Sequence, residues 1–431
     1  MNIPIKLDHD FEMCLDACDN KYGEDFAYLN GFHESQLNFS DFVDGFIDKN
    51  VADATIDSNA NASSKDIRSL MSEKGKSQDK LICFSKLFYE LKKKYGLFTA
   101  KNWLESEYNG AFYMHDAHSS TFLPYCYAYD LARLAEEGLF FLTNYNHLPP
   151  KHLTTFLDDV IEFISFMSNR SSGAVGLPNI LIWTYYFWKK DCKDGFYIKD
   201  PTYYAKQCFQ KLIYRLNQPF IRIDQCAFVN MSIFDREYLM SLFGGVIYPD
   251  GSMVIDNIEE IIEHQKLFME VVSEIRHESV FTFPVLTYSL LYQNGDFVDK
   301  EFARWCSDHN TLWNDSNFFV SGDVSTLSNC CRLLSDTSKL NAFINSVGGT
   351  ALSIGSVKVN TINLMRIAYE SRCNEEEFLD LLEKRTKLCC QVLDVQRHII
   401  KRNIEKGLLP NYIDGGVEME KQYSTVGKLI A

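Results

Sequence analysis

The amino-acid sequence predicts an α/β fold. Short apolar runs that suit buried strands alternate along the chain with segments whose apolar residues recur every three or four positions, as in amphipathic helices. Strands that are separated by helices favour parallel pairing. We therefore expect a mainly parallel sheet with strands within residues 227–233, 280–291, 318–321 and 357–364.

Four amphipathic helices are predicted from the same spacing. The first ends before Gly96, because glycine readily adopts the backbone conformation that terminates a helix. The last begins after Asn374, which has Glu377 three residues later in a variant of the capping box. The four helices cover residues 81–91, 156–167, 258–275 and a segment from 374 to near 407.

Composition and charge limit the classes of function. The chain has 431 residues, 46% of them hydrophobic, and a formal net charge of −15. This acidic balance argues against a nucleic-acid-binding or membrane-surface protein. The sequence has no run of roughly 18 uncharged apolar residues, and its acidic N-terminus is unlike a signal peptide. We expect a cytoplasmic protein with an N-terminal extension, residues 1–50, and one continuous domain, residues 51–431.

The thirteen cysteines do not have the spacing of a metal site. An odd number of cysteines in a reducing compartment indicates thiols, most of them buried. No C-x2-C pair occurs, and Cys14 and Cys18 have no further ligand nearby, so we expect no metal in this chain. The two commonest nucleotide-binding loops, G-x-G-x-x-G and G-x-x-x-x-G-K-[ST], are also missing from the sequence.

One candidate site combines a histidine–aspartate pair with a cysteine. His115 and Asp116 are followed ten residues later by Cys126. Such a pair can orient a substrate beside a thiol. A polar loop and a buried cysteine are the simpler interpretation of these residues taken alone.

A second candidate site is the vicinal pair Cys330 and Cys331, next to Arg332 in a polar segment. Thiols on a loop between strands are placed for reaction, and the adjacent arginine favours the thiolate and can bind a phosphate. A buried cysteine pair is the alternative, and the residues alone leave both interpretations open.

Two further segments place polar residues in apolar strands. Asn230 follows Arg222 in an apolar run, and a buried Asn must hydrogen-bond to neighbouring backbone or to a ligand. Gly348, Gly349 and Gly355 lead into a strand that carries Asn and Thr, which suggests a backbone edge shaped for a ligand.

Taken together, these segments resemble the anaerobic, glycyl-radical ribonucleoside-triphosphate reductases of class III. The resemblance extends from about residue 50 to the end of the chain, and C-C-R-L and T-I-N-L-x-R-I are its most specific parts. The motifs that carry it, in order, are D-S-N-A-N (57–61), Y-M-H-D (113–116), a Cys ten residues later, G-A-V-G-L-P (173–178), F-V-N (228–230), C-C-R-L (330–333) and V-N-T-I-N-L-M-R-I-A-Y (359–369).

The resemblance implies a ten-stranded α/β barrel made of two half-barrels, with a finger loop near residues 323–336. By motif position, Cys331 is the cysteine that becomes a thiyl radical, with Cys330 as the second choice. Cys126, on the first barrel strand, is implied to supply reducing equivalents. The residues implied to bind substrate are Asn59, Asn61, His115, Asp116, Asn230 and Arg332.

The same resemblance implies partners and cofactors. Ribonucleoside triphosphates are the implied substrates, nucleoside triphosphates the effectors, and a homodimer the assembly, with no direct contact to nucleic acid or membrane. The glycyl radical is installed in such enzymes by an activating enzyme that uses S-adenosylmethionine and an iron–sulfur cluster. Zinc is implied only in the C-terminal segment that carries the glycyl radical.

Three departures from the family pattern concern the reductant, an apolar position and the regulation. Formate-using members have Asn where this chain has Ser356, so a small redox protein is the other candidate reductant. Met365 replaces the usual Pro, and Met can fill the same apolar space. The residues before Asp57 are too few for the ATP-cone domain that regulates many relatives.

The printed chain ends at Ala431 without an Arg-x-Cys-Gly-Tyr-type glycyl-radical motif. We therefore expect a C-terminally incomplete barrel that is inactive alone and needs a C-terminal glycyl-radical fragment. A split enzyme, a truncated chain and a catalytically inactive nucleotide-binding relative are the three explanations, and the first two are preferred. A cobalamin-dependent reductase, which needs no glycyl radical, is a further alternative.

Overall fold

The fold is given by a computed structural model, which describes residues 7–48, 67–119, 121–142, 147–218, 221–222, 226–324, 326–328, 334–336, 355–356 and 358–409. The α-helices in this part of the chain are α1 His9–Tyr22, α2 Glu24–Asn30, α3 Glu34–Leu37, α4 Phe39–Asp48, α5 Ile67–Glu73, α6 Lys76–Tyr95, α7 Leu97–Tyr108, α8 Ala132–Glu137, α9 Leu153–Ser168, α10 Ile180–Asp194, α11 Pro201–Leu216, α12 Arg236–Tyr238, α13 Ile258–Glu278, α14 Lys300–Trp313, α15 Leu364–Glu370 and α16 Glu375–Glu405.

The strands are β1 Phe112–Met114, β2 Cys126–Ala128, β3 Val175–Leu177, β4 Val229–Phe234, β5 Val285–Gln293, β6 Asp296–Phe297, β7 Ser316–Ser321, β8 Thr326–Ser328, β9 Leu334–Asp336, β10 Gly355–Ser356 and β11 Asn360–Ile362. A seven-stranded sheet has the order β10-β2-β3-β4-β5-β6, and β7 pairs with β5 as well. Strands β2, β3, β4, β5 and β7 are parallel, which confirms the predicted α/β class.

The first strand of the parallel set also has an antiparallel neighbour. Strand β10 pairs with β2, so that Ser356 lies opposite Cys126. Two smaller pairs complete the strands of the described ranges, β1 with β11 and β8 with β9. Within these ranges no pairing joins β10 to β7, so the closure of the sheet into a ten-stranded barrel stays a prediction.

The two faces of the parallel sheet differ in polarity. Because side chains alternate along a strand, residues in register share a face. One face carries large apolar side chains, which pack with the helices in the main core: Tyr127, Val175, Leu177, Val229, Met231, Ile233, Leu286 and Tyr288. The other face carries mainly small or polar residues, together with two apolar ones, Val285 and Phe234. Its small or polar residues are Ala128, Gly176, Asn230, Ser232, Thr287 and Ser289. This second face, which we call the polar face, is the one suited to a ligand.

A second core joins the N-terminal helices to the rest of the chain. Phe11 of α1 packs against Phe88 of α6 with ring centroids 5.6 Å apart, and Trp103 of α7 lies in the same cluster. Val392 of α16 belongs to this cluster too, and so does Met114 of β1. Helices α1, α2 and α6 therefore share one apolar core, and the domain boundary at residue 50 stays a prediction.

The four predicted helices are confirmed as α6, α9, α13 and α16. Helix α6 ends at Gly96, whose φ of 89° is the positive value that favours glycine. Asn374 caps α16 by accepting a hydrogen bond from the backbone N–H of Glu377. No helix in the described part of the chain is long and apolar enough to cross a membrane.

Candidate active site

Cys126 is the first residue of β2 and lies at the centre of the candidate site. It is buried, and it is two residues before Ala128, so strand alternation sets both side chains on the polar face. Its neighbours in the sheet are β3 on one side and β10 on the other. The thiol is therefore held on a rigid part of the fold, where two strands meet it from opposite sides.

The loop before β3 fits closely against this thiol. The backbone N–H of Ala174 donates a hydrogen bond to Cys126 Sγ at 3.1 Å. A Cβ atom at Gly173 would lie only 2.5 Å from the same sulfur, closer than van der Waals contact allows. Gly173, the first glycine of the G-A-V-G-L-P motif, is thus required by the close approach of this loop to Cys126.

Arg222 contributes a cation beside Cys126. Its Nη2 donates to the carbonyl oxygens of Ser171 and Ser172 at 3.0 and 2.9 Å, the two residues just before Gly173. Burial lowers the pKa of Arg222, and the charges of Asp116 and Cys126 oppose that shift. Even so, guanidinium remains protonated at neutral pH, so the site holds a fixed positive charge.

Lys358 contributes a second basic group and lies between β10 and β11. It is buried, with 4% of its surface exposed, and it follows Ser356 by two residues. Met114 of β1, two residues before Asp116, is paired with Asn360 of β11, two residues after Lys358. Burial lowers the pKa of Lys358 to about 7, and negative charge on Asp116, Cys83 or Cys126 opposes the shift.

His115 and Asp116 follow the last residue of β1, and His115 contacts β11 and the residue before β2. His115 Nε2 is 2.8 Å from Thr361 Oγ1 of β11, and the ring makes an edge contact with Tyr125, whose centroid is 6.0 Å away. Asp116 has a φ of 49°, a left-handed conformation in which the chain turns away from β1. The structure therefore brings Asp116, Cys126, Arg222 and Lys358 into one electrostatic cluster.

Asn230 is on the polar face but further from Cys126. Its Nδ2 donates to the carbonyl oxygen of Val285 at 3.1 Å and to Thr287 Oγ1 at 3.3 Å. It lies on β4, two strands from β2 in the sheet order. These bonds explain why an amide is tolerated inside the sheet, and a role for Asn230 in binding substrate stays a prediction.

Several predicted site residues lie outside the described residues: Asn59, Asn61, Cys330, Cys331 and Arg332. Strands β8 and β9 form an antiparallel pair on either side of the C-C-R-L motif, within the predicted finger-loop region. For Ser356 the backbone alone is described, and its pairing with Cys126 is the relevant observation.

Arg222 and Lys358 were not predicted as site residues. Both were visible in the sequence as single cations next to apolar segments, a signal that also fits an ordinary surface residue. Their meeting at Cys126 depends on strand register and on the loop before β3, which local periodicity does not encode. Thr287, the polar neighbour of Asn230, was missed because it lies in an otherwise apolar strand.

Most other buried thiols in the described ranges lie in apolar surroundings, away from the strands that hold Cys126. Burial raises the pKa of Cys208 to about 12 and that of Cys226 to about 11, values at which both are thiols at neutral pH. Every described cysteine other than Cys126 lies outside the pair of strands β2 and β10. No group of three or more His, Cys, Asp or Glu side chains in the described ranges is arranged to hold a metal ion.

The comparisons with known proteins agree with the geometry. A family model described as anaerobic ribonucleoside-triphosphate reductase matches residues 77–431. This match favours the anaerobic class over the cobalamin-dependent alternative. No curated protein matches the chain.

Solved structures extend the likeness to the fold. The anaerobic ribonucleotide reductase from Thermotoga maritima in complex with dATP and CTP is 37% identical, with a TM-score of 0.83, over 98% of this chain and 67% of that chain. The same enzyme with dATP bound in the specificity site is 37% identical, with a TM-score of 0.81, over 96% and 66%. A further anaerobic ribonucleotide reductase is 39% identical, with a TM-score of 0.83, over 96% and 64%. The chain thus spans about two thirds of the length of these relatives.

Proposed function

This chain belongs to the anaerobic ribonucleoside-triphosphate reductases, a family of oxidoreductases, and we propose that it carries most of the site that reduces ribonucleoside triphosphates to 2′-deoxyribonucleoside triphosphates. The observation that supports this proposal best is the position of Cys126. A buried thiol on the first strand of the parallel sheet faces the polar side, within the electrostatic influence of Arg222 and Lys358.

The proposed chemistry uses two cysteines on opposite sides of one ribose. A thiyl radical on Cys331, or on Cys330 as the second choice, removes the 3′ hydrogen of the ribose. Loss of that hydrogen labilises the 2′ hydroxyl, which takes up a proton and leaves as water. Cys126 and the external reductant, formate or a small redox protein, then supply the two reducing equivalents, a role that the rigid position of Cys126 between β3 and β10 supports.

The proposed substrate contacts combine polar and cationic groups. His115 and Asp116 lie beside the Cys126 strand, where their donors and acceptors suit the hydroxyl groups of a ribose. Arg332 is proposed for a phosphate, because guanidinium binds phosphate oxygens in a bidentate manner. Asn59, Asn61 and Asn230 complete the proposed set of substrate-binding residues. Complexes of a relative with dATP and CTP support nucleotides as the ligand class.

The partners proposed for the complete enzyme follow from its family. They are a C-terminal glycyl-radical segment, an activating enzyme that uses S-adenosylmethionine and an iron–sulfur cluster, nucleoside triphosphate effectors and a second copy of the chain. The glycyl radical supplies the oxidising equivalent for the thiyl. The zinc site is proposed for that segment because the family implies it there.

The reductant is proposed to be formate or a small redox protein. Ser356 stands where formate-using relatives have Asn, and it lies directly opposite Cys126 in the sheet. A change at this position therefore alters the immediate surroundings of the reducing thiol. The serine at this position favours the redox protein as reductant. A redox protein exchanges electrons with thiols and does not need the Asn that formate-using relatives have there.

Turnover of CTP by the complete enzyme that contains this chain tests both cysteine roles. Cys331→Ala should abolish dCTP formation while CTP binding, measured by calorimetry, is retained. Cys126→Ser should also prevent multiple turnovers, because serine cannot supply reducing equivalents. Cys208→Ser, at a buried thiol of α11 in the main core, is the matched control and should keep turnover.

Two results would contradict the proposal. Retained turnover in the Cys331→Ala and Cys330→Ala variants would remove the thiyl assignment from this motif. Several turnovers by the Cys126→Ser variant would show that the reducing equivalents come from elsewhere. If the unaltered protein does not bind CTP, the proposed substrate class is contradicted.

A further inference from the structure

His115 and Thr361 contact each other on one face of the strand pair β1–β11. His115 Nε2 lies 2.8 Å from Thr361 Oγ1, and Thr361 is paired with Tyr113, two residues before His115. Because side chains alternate along a strand, Met114 and its partner Asn360 point to the opposite face. Met114 is buried there, in the apolar core to which α6, α7 and α16 contribute. The position of His115 therefore depends on how Met114 is held.

The β1–β11 pair is too short to fix its own register. It contains three residue pairs, and it is a two-stranded sheet by itself. An isolated two-stranded sheet is at best marginally stable in water. A slip of one residue would turn the side chains of one strand to the other face, so that His115 would leave Thr361. Groups outside the two strands must therefore hold the register.

Both ends of the pair are held by side chains from other elements. At one end Asn363, just after β11, donates its backbone N–H to the carbonyl oxygen of Ala111 at 3.1 Å and its Nδ2 to that of Gly110 at 3.0 Å. At the other end Glu107 Oε2 of α7 accepts the backbone N–H of Met114 at 3.3 Å. This second end is the one next to His115.

Gln396 of α16 spans the residue pair at this second end. Its Oε1 accepts a hydrogen bond from Asn360 Nδ2 at 3.2 Å, and its Nε2 donates to Met114 Sδ at 2.7 Å. Since Met114 and Asn360 are paired with each other, a single amide contacts both strands. Gln396 has 0% of its surface exposed, and a buried polar group that is bonded at both ends makes its surroundings rigid.

We propose that Gln396 is a positioning residue of the candidate site, which fixes the register of β1 against β11 and thereby holds His115 where it meets the ribose of the substrate. The inference rests on the proposed function, in which His115 and Asp116 bind ribose hydroxyl groups. Gln396 does not touch the substrate itself, because it lies on the buried face of the strand pair. An apolar side chain of the same size would fill its space but would release both strands.

CTP reduction by the complete enzyme that contains this chain separates positioning from folding. Gln396→Met keeps the side-chain volume and removes the amide, and we expect it to raise the KM for CTP about tenfold, the effect of losing one hydrogen bond to the substrate. The kcat should change less, because an interaction lost equally from the ground state and the transition state raises KM alone. A smaller fraction of folded enzyme would instead lower the apparent kcat at an unchanged KM.

Hydrogen exchange followed by mass spectrometry examines the strand pair without substrate. In Gln396→Met we expect amide exchange over residues 110–116 to be about tenfold faster than in the unaltered enzyme. Gln265→Met is the matched control, because Gln265 of α13 is also 0% exposed and its amide bonds the backbone N–H and C=O of Phe234 in β4, each at 2.9 Å. It should speed exchange around residue 234 and leave both the KM for CTP and exchange over residues 110–116 unchanged.

An unchanged KM together with unchanged exchange over residues 110–116 in Gln396→Met would overturn the proposal. An equal rise of KM in Gln265→Met would also overturn it, because the effect would then be one of general destabilisation. If Gln396→Met does not fold, Asn360→Ala breaks the same contact from β11 and should raise KM and exchange in the same way, so unchanged values would be decisive against the proposal.

The exchange measurement needs neither CTP nor turnover. Failure of this inference is therefore distinguishable from failure of the proposed function, which an unaltered enzyme that does not bind CTP would show.

Discussion

The contact between Gly173 and Cys126 gives a sharp prediction for a Gly173→Ala substitution. An added Cβ would lie 2.5 Å from Cys126 Sγ and 3.2 Å from the carbonyl carbon and oxygen of Tyr125. Non-bonded heavy atoms normally approach to about 3.5–4.0 Å, so one side must move by roughly 1 Å. The backbone of Gly173 has no positive φ, so the effect of this substitution is steric.

The expected cost is set by how little the neighbours can move. Cys126 is held by β3 on one side and β10 on the other, and the N–H of Ala174 bonds its sulfur. Overpacking in such a site destabilises a protein by about 1–3 kcal/mol. We therefore expect Gly173→Ala to lower the free energy of unfolding by that amount.

Urea unfolding followed by circular dichroism measures this cost. Gly245→Ala is the matched control, since nothing lies within 4 Å of a Cβ at that glycine, and its loss should be close to zero. Combining Gly173→Ala with Cys126→Ala removes the sulfur that the new methyl group meets. The double variant should therefore recover about 1 kcal/mol relative to the sum of the two single changes.

Equal stability of Gly173→Ala and the unaltered chain would refute the reasoning. Additive losses in the double variant would show that the cost arises elsewhere than at Cys126 Sγ. Either result would also weaken the view that the G-A-V-G-L-P motif serves the close fit around the Cys126 thiol.

Two further predictions concern stability away from the site. Burial lowers the pKa of His264 to about 3, so its neutral form stabilises the fold above pH 6.5, and this stability is lost as the pH falls. The free energy of urea unfolding should therefore be lower at pH 5 than at pH 7, and His264→Gln should remove about 2 kcal/mol of that difference. Arg276 Nε lies 2.7 Å from Asp315 Oδ2, with 14% and 3% of the two side chains exposed, so Arg276→Met should cost about 3 kcal/mol in urea unfolding. Arg304→Met, at an arginine with 85% of its side chain exposed, is its control and should cost less than about 0.5 kcal/mol. Equal effects of the two arginine substitutions, or an unchanged pH dependence in His264→Gln, would contradict these assignments.

Local sequence patterns predicted the elements that depend on neighbouring residues. The apolar spacing of α6 and its end at Gly96 were correct, because a helix needs only a periodic apolar face and a residue that tolerates positive φ. The cap of α16 by Asn374 was correct for the same reason. Helix α10 was missed: its apolar residues occupy every side, as in a buried helix, and give no clear period.

The order of short motifs determined the family, and with it the roles that we propose for Cys126 and for the C-C-R-L segment. Those motifs are residue types at fixed positions, so they can be read from the chain itself. Only the tertiary structure decided which groups surround the thiol. Ser356 lies opposite Cys126, and Met114 lies opposite Asn360, because two strand registers bring distant segments together. Such contacts depend on how whole strands pair and how loops close against them, which no local pattern of residues specifies.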